Sequence, residues 1–257
     1  MKKIYLLMML LATVFVACSD DDDKDKETPW EIKMTIEVKK ENEEISFTAY
    51  DAISNAKIIE SVDWGDGNID ENISRDLTHY YSTGTYNITV KGKGEINWSC
   101  SDNNITALDV TKCTTLVCLS CGDNQLTSLD VSKCPELYLL ECTNNQLTLL
   151  DVTQCPKLAR FVCFNNQLTS LDVTKCTNLM WLNCSDNQLT SLDVSKCPTL
   201  RELYCGGNNF DNNAMNAIYN GLPDQKGDDY HGIINLYKDD AKGNTTIALN
   251  KNWKVEY

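Results

Sequence analysis

Six cysteines stand 21 residues apart without a break, Cys100, Cys121, Cys142, Cys163, Cys184 and Cys205. An asparagine follows each by three residues: Asn103, Asn124, Asn145, Asn166, Asn187 and Asn208. A fixed period of this length is the signature of stacked structural units and narrows the accessible folds more than any other feature of the chain. A second cysteine series with the same step, Cys113, Cys134, Cys155, Cys176 and Cys197, runs between the first. Each unit reads roughly L-x-x-L-x-C-x-x-N-Q-L-T-S-L-D-V-S-K-C-P-x, so about half of the chain is expected to form a solenoid.

The unit explains itself physically. In Leu116-x-x-Leu119-x-Cys121-x-x-Asn124-x-Leu126, residues 119 and 121 alternate on a strand and point inward, while 118 and 120 point outward. Leu126, Leu129 and Val131 supply further inward side chains as the coil returns. One turn cannot bury the upper and lower faces of its own apolar layer, so turns must stack and stability accrues between neighbours. The asparagine at each bend has a side chain able to satisfy backbone groups as the chain leaves the strand, which predicts a structural ladder.

The cysteines raise a disulfide framework and, at Cys118 and Cys121, a metal site as alternatives. Stacked neighbours would hold parallel Cβ vectors at about the 4.8 Å strand spacing, beyond the roughly 3.8 Å a disulfide favours. Cysteines in an inward leucine slot are therefore expected to be buried thiols. Cys118 and Cys121 lie three apart on a strand, face opposite sides, and cannot chelate one ion together. Cys118, outside both series, is expected to be solvent-facing and reactive.

The two halves L-x-x-L-x-C-x-x-N-Q-L and T-S-L-D-V-S-K-C-P-x resemble the bacterial leucine-rich repeats of the internalin type, particularly the branch with a cysteine ladder. The resemblance covers residues 95–209. It implies a fold of parallel strands, and it is far less specific about a ligand.

Residues 1–17 carry Lys2 and Lys3, an apolar run from Ile4 to Val16 and the small Ala17, as a secretion signal does. Phe15-Val16-Ala17-Cys18 resembles a bacterial lipobox with Phe where Leu is usual, which implies lipidation at Cys18. Residues 18–30, with Ser19-Asp20-Asp21-Asp22-Asp23-Lys24-Asp25, read as an acidic disordered tether. The tether also resembles signals that carry lipoproteins of some Gram-negative anaerobes to the outside of the outer membrane, so the expected location is an outer-membrane lipoprotein exposed at the cell surface. The formal charge of −14, with no basic run, argues against nucleic acid and anionic membrane surfaces as partners. The lipid is the only membrane attachment expected.

Between tether and repeats the period changes to two. Glu31-Ile-Lys-Met-Thr-Ile-Glu-Val38 and Glu44-Ile-Ser-Phe-Thr-Ala-Tyr50 alternate apolar and polar residues as half-buried strands do. Asp63-Trp64-Gly65-Asp66-Gly67, His79-Tyr80 and Gly84-Thr-Tyr86-Asn-Ile88-Thr-Val90 follow. That combination resembles the PKD family of immunoglobulin-like β-sandwiches over residues 31–94, a span short enough that the junction with the repeats could supply a strand. Gly65 and Gly67 suit a turn with positive φ, and Asp66 can accept nearby backbone amides. A calcium site at Asp63 and Asp66 is an alternative reading of this turn, one that would need six or more oxygen ligands.

Residues 210–257 read as a short α/β cap. Asp211 is an N-cap candidate, Met215, Ile218 and Tyr219 form a helical stripe, and Gly221-Leu-Pro223 a stop. Gly232–Tyr237 and Thr245–Leu249 are expected as strands with Trp253 packed on them. The fold class is thus β-rich: a small PKD-like β-sandwich, a 21-residue-repeat parallel solenoid, and the cap.

Neither His79 nor His231 sits in a hydrolytic or metal-binding motif, and no phosphate-loop pattern occurs. Asp109, Asp130, Asp151, Asp172 and Asp193 recur at one repeat position, which marks scaffold rather than an acid/base pair. No enzyme activity, cofactor or metal is expected. The return side repeats nearly unchanged, whereas the outward strand positions vary: Asn97, Ser99, Ser101; Cys118, Ser120, Gly122; Leu139, Glu141, Thr143; Arg160, Val162, Phe164; Trp181, Asn183, Ser185; Glu202, Tyr204, Gly206. Leu139, Arg160, Val162, Phe164, Trp181, Asn183 and Tyr204 are the candidate ligand-binding residues, because Trp, Tyr and Arg dominate binding hot spots. The reading is a surface-anchored recognition or adhesion protein that binds an extracellular protein. The alternatives are polysaccharide binding by the same aromatics and a structural envelope role; the oligomeric state is not fixed by the sequence.

Overall fold

The computed structural model describes residues 28–51, 58–71, 73, 76–226, 231–237 and 242–257. The leader, Cys18 and residues 18–27 of the tether lie outside them. Among the described residues, no helix is long and apolar enough to cross a membrane.

The alternating N-terminal segments form strands that bury every second residue. In β1 (Pro29–Val38) these are Trp30, Ile32, Met34, Ile36 and Val38, and in β2 (Glu43–Tyr50) Ile45, Phe47 and Ala49. β3 (Ile59–Asp63), β4 (Ile69–Glu71), β5 (Asp76–Tyr81) and β6 (Gly84–Lys93) complete the antiparallel set. Trp64, Phe47 and Trp98 stack where the two sheets face each other, with ring centroids 6.3 and 5.7 Å from Phe47. Gly65 and Gly67 hold φ of 78° and 98°. A side chain at Gly65 would strike the Asn87 carbonyl at 2.4 Å. Asp63 and Asp66 accept the amides of Gly65 and Asn68, and Asp66 also meets His79 Nε2 at 2.7 Å, so both carboxylates are engaged in the turn itself.

The first repeat then joins both sheets. β7 (Ile96–Ser99) pairs antiparallel with β2 on one edge and parallel with β9 (Leu116–Ser120) on the other. β8 (Ile105–Asp109) adds to β1, giving a five-stranded sheet in the order β4-β3-β6-β1-β8. From β9 the parallel sheet continues through β10 (Leu139–Glu141), β11 (Arg160–Val162), β12 (Trp181–Asn183), β13 (Glu202–Tyr204), β14 (Gly232–Asn235) and β15 (Trp253–Glu256). One ten-stranded sheet therefore runs from β5 to β15, and a single apolar core extends from Trp30 to Trp253.

Five of the six rungs of the asparagine ladder are bonded alike. Asn145 Nδ2 donates to the carbonyls of Cys121, Cys142 and Thr143, while its Oδ1 accepts the Leu126 amide at 2.9 Å. Asn124, Asn166, Asn187 and Asn208 repeat the pattern. Asn103 has no earlier repeat beneath it and instead takes both backbone groups of Ser46 in β2, each at 2.9 Å. The second cysteine series behaves likewise. Cys134, Cys155, Cys176 and Cys197 donate to the valine carbonyl of the preceding turn at 3.6–3.7 Å. Cys113 donates to Glu31 O in β1 at 3.3 Å. The N-terminal strands thus occupy the place of a preceding turn.

Every cysteine among the described residues is a free thiol, and those of the two ladders are buried. Each ladder asparagine is preceded by a residue in the left-handed region: Asp102, Asp123, Asn144, Asn165, Asp186 and Gly207, with φ of 51–69°. Asp, Asn and Gly are the types that tolerate it. The repeated aspartates accept the backbone amide two residues on, as Asp151 does from Thr153 at 2.8 Å, so they are turn formers.

The cap contains helix α1 (Asn212–Gly221), whose Asp211 N-cap accepts the Ala214 amide at 2.7 Å and whose Met215, Ile218 and Tyr219 are buried. One expectation is corrected. Thr245–Leu249 forms no strand but a single helical turn, α2 (Thr246–Leu249), started by the Asn244 side chain accepting the Thr246 amide and burying Ala248. The strand in that place is β15, whose Trp253 is buried and donates Nε1–H to the Pro223 carbonyl at 2.8 Å.

Candidate functional site

The parallel register aligns the varying side chains in rows across the sheet. One row runs Asn97, Cys118, Leu139, Arg160, Trp181, Glu202, Ile233 and Lys254. The next runs Ser99, Ser120, Glu141, Val162, Asn183, Tyr204, Asn235 and Glu256. Phe164 lies beyond the second row, past Cys163. All seven candidate residues, Leu139, Arg160, Val162, Phe164, Trp181, Asn183 and Tyr204, are partly buried and share this face.

Three of them touch in sequence across neighbouring strands. The Arg160 guanidinium lies 4.2 Å over the Trp181 ring, and Trp181 and Tyr204 stand 6.1 Å apart with planes tilted by 41°. The Tyr204 hydroxyl donates to Glu202 Oε2 at 3.0 Å. Burial, reinforced by that carboxylate, pushes the Tyr204 hydroxyl up to about 12. Burial pulls the Arg160 guanidinium below its ordinary value, with Tyr138 and Glu202 partly opposing it. A cation held over an indole face is attracted by the ring quadrupole and fixed in orientation.

Not all positions expected to face outward are open. Asn97, Glu141, Thr143 and Ser185 are buried. Glu141 shows why: its carboxylate folds over Gly122, accepting the Gly122 and Thr143 amides at 3.2 and 3.0 Å. A Cβ on Gly122 would lie 2.4 Å from a Glu141 oxygen. Burial holds the Glu141 carboxyl above its ordinary range despite these bonds. Cys118 is likewise corrected: flanked by Asn97 and Leu139 on the adjacent strands, it is partly covered, and burial pushes its thiol up to about 12, so it is not a reactive surface thiol.

Sequence reasoning missed the part of the face supplied by the cap. Ile233, Asn235, Lys254 and Glu256 prolong the two rows. Tyr237 lies against Gly206 and Gly207, where a side chain at Gly206 would meet its amide at 2.7 Å, and its hydroxyl donates to Asp186 Oδ2 at 2.5 Å. The signal available was the Gly206-Gly207 pair, the one place where two glycines replace the usual turn residues. Among the described residues, no group of three or more His, Cys, Asp or Glu side chains could hold a metal ion.

The architecture is that of a leucine-rich-repeat β-solenoid, with an inward leucine and cysteine layer, an asparagine ladder and one parallel strand per turn. No family model matches the sequence, and no curated protein matches it. Among solved structures, an internalin of Listeria monocytogenes is similar at 20% identity and a TM-score of 0.48, over 57% of this chain and 43% of that one. A leucine-rich-repeat protein of Leptospira interrogans is similar at 27% identity and a TM-score of 0.42, over 44% and 31%. The functional domain of InlJ of Listeria monocytogenes, which includes a cysteine ladder, is similar at 24% identity and a TM-score of 0.36, over 62% and 43%. The aligned part spans less than half the length of each of these three proteins.

Proposed function

We propose that the chain is a non-enzymatic recognition protein whose outward sheet face binds an extracellular protein. The observation that carries this reading is the gathering of Arg160, Val162, Phe164, Trp181 and Tyr204 on one face, beside return arcs whose residues hardly change from turn to turn. A cluster of partly exposed aromatic, aliphatic and guanidinium side chains is the composition of an interface hot spot. In this reading residues 1–17 are a lipoprotein signal, Cys18 carries the lipid, and residues 18–30 tether the molecule at the surface of a Gram-negative outer membrane. The N-terminal strands are a PKD-like unit that holds the repeats away from that surface.

Polysaccharide binding is a second reading, favoured by one detail: Trp181 and Tyr204 present adjacent tilted rings beside the amides of Asn183 and Asn235. The test is a binding screen of the full-length protein against extracellular proteins and polysaccharides, beside a Phe164→Ala, Trp181→Ala, Tyr204→Ala variant. A protein ligand lost in the variant, with the thermal midpoint little changed, supports the reading. A ligand retained by the variant removes the site, and competition by oligosaccharide transfers the face to glycans.

A further inference from the structure

Arg160 is unusual within its own molecule. The chain has 37 acidic and 23 basic residues other than histidine, so carboxylates are in excess. Lys112 and Lys33 meet Glu31 at 2.8 and 3.3 Å, and Lys254, at the end of the Arg160 row, meets Glu256 at 2.6 Å. Among the described residues no carboxylate lies within 4.0 Å of the Arg160 guanidinium, although this cation is partly buried. Glu202 stands two strands away along the row, and its carboxylate accepts the Tyr204 hydroxyl. Glu202 acts on this cation only at longer range, so no carboxylate in contact offsets its removal from water, and one arriving from outside would do so.

The surroundings define what that carboxylate must be attached to. Trp181 covers the guanidinium with its central carbon 4.2 Å from the ring centroid, and a ring face does not take up the five N–H donors as a carboxylate would. Leu139 stands beside Arg160 on the neighbouring strand, and Val162 is the next outward residue on the same strand, with Phe164 beyond. Aliphatic neighbours match the methylenes and methyls of a polypeptide; the ring of a uronic acid would place hydroxyls against groups that cannot bond them.

Resting on the protein-recognition reading, the geometry points to Arg160 as the anchor for an aspartate or glutamate of the partner, set beside an aliphatic side chain that packs on Leu139 and Val162. A fork-to-carboxylate pair is bidentate, so it fixes the partner's position as well as its charge.

The experiment selects a displayed random-peptide library on the full-length protein and measures the Kd of the recovered peptides, with polygalacturonate as a separate probe. The expected result is peptides sharing an acidic residue next to Leu, Ile or Val. Arg160→Gln, or amidation of that peptide residue, should each weaken binding about 10- to 100-fold, and together no more than either alone. Arg160→Lys should recover only part of the affinity. Arg160→Glu should bind a peptide carrying Lys at the acidic position, which separates charge pairing from damage to the fold. Peptides without an acidic preference, or equally bound by Arg160→Gln, overturn the anchor and leave protein recognition standing. Binding of polygalacturonate alone, lost in Arg160→Gln, assigns the carboxylate to a glycan and overturns both. Absence of any bound peptide or polysaccharide also overturns both.

Discussion

The return arc and the outward sheet face belong to the same coil and share its period, yet they treat it oppositely. On the bends and return arc, the asparagines, aspartates and cysteines recur because each meets the same atoms in its own turn or the one before. On the sheet face the row Leu139, Arg160, Trp181, Glu202 changes character at every step although its backbone bonds are uniform. Repetition marks side chains that meet the same atoms in every turn, and variation marks side chains whose contacts, such as Arg160 on Trp181 or Glu141 on Gly122, occur at one place in the coil. This separation of scaffold from surface is what a one-dimensional fold permits.

The sharpest way to break the comparison is within the ladder. Asn145→Ala should cost roughly 2–4 kcal/mol of stability, because three buried carbonyls and one amide lose a partner together; chemical denaturation measures it. Cys163→Ser should cost less, about 1–3 kcal/mol, since it places a hydroxyl in a fully buried apolar slot, and the same assay compares the two. Phe164→Ala on the outward face should cost about 1 kcal/mol or less while removing ligand binding, a contrast read by a thermal midpoint beside a binding isotherm.

The smallest effect is in pH. Glu141 has a folded value raised by burial above its ordinary 4.5, so the folded state holds that proton more tightly than the unfolded one. Its contribution is therefore greatest below 4.5 and is lost as pH rises through the raised value. The ladder aspartates are lowered from 3.8, chiefly by the bonds from the Thr or Ser two residues on, so their contribution is present above 3.8 and lost as pH falls through the lowered values. The midpoint should hold or rise slightly from pH 7 toward 4.5, then fall below 3.8. Glu141→Gln should flatten the upper limb and leave the lower one, whatever its effect on the absolute midpoint.

What could be read from the sequence follows the same division. Both cysteine series, the asparagine ladder and the inward leucines were legible because the period places each beside its own copy. The docking of Asn103 on Ser46 and of Cys113 on Glu31 was not, since it joins residues 57 and 82 apart that share no repeat. Thr245–Leu249 misled because a short apolar run has no decisive period; the Asn244 side chain and the burial of Ala248 settle it as a helical turn. The candidate site was legible only as a list of varying positions. Glu141 and Cys118 departed from it because exposure depends on the side chains of adjacent strands: a glycine at 122 opens the space that Glu141 fills, and Leu139 helps to cover Cys118. The contribution of Tyr237 and β14 and β15 was hidden because the 21-residue spacing ends before them.

The bonding of the ladder has a consequence for length. Each asparagine answers only to its own turn and its immediate neighbours, and the special arrangements are confined to Ser46 and Glu31 at one end and the Gly206-Gly207 seat of Tyr237 at the other. A unit of 21 residues can therefore be spliced in or out at equivalent points without asking either end to change. Spliced between Arg160 and Trp181, it would part them by a further strand spacing of about 4.8 Å and undo their stacking; spliced outside the strands that carry the strip, it would shift the strip along the coil intact. The length of the coil is thus adjustable in discrete steps, independently of the side chains that the strip carries.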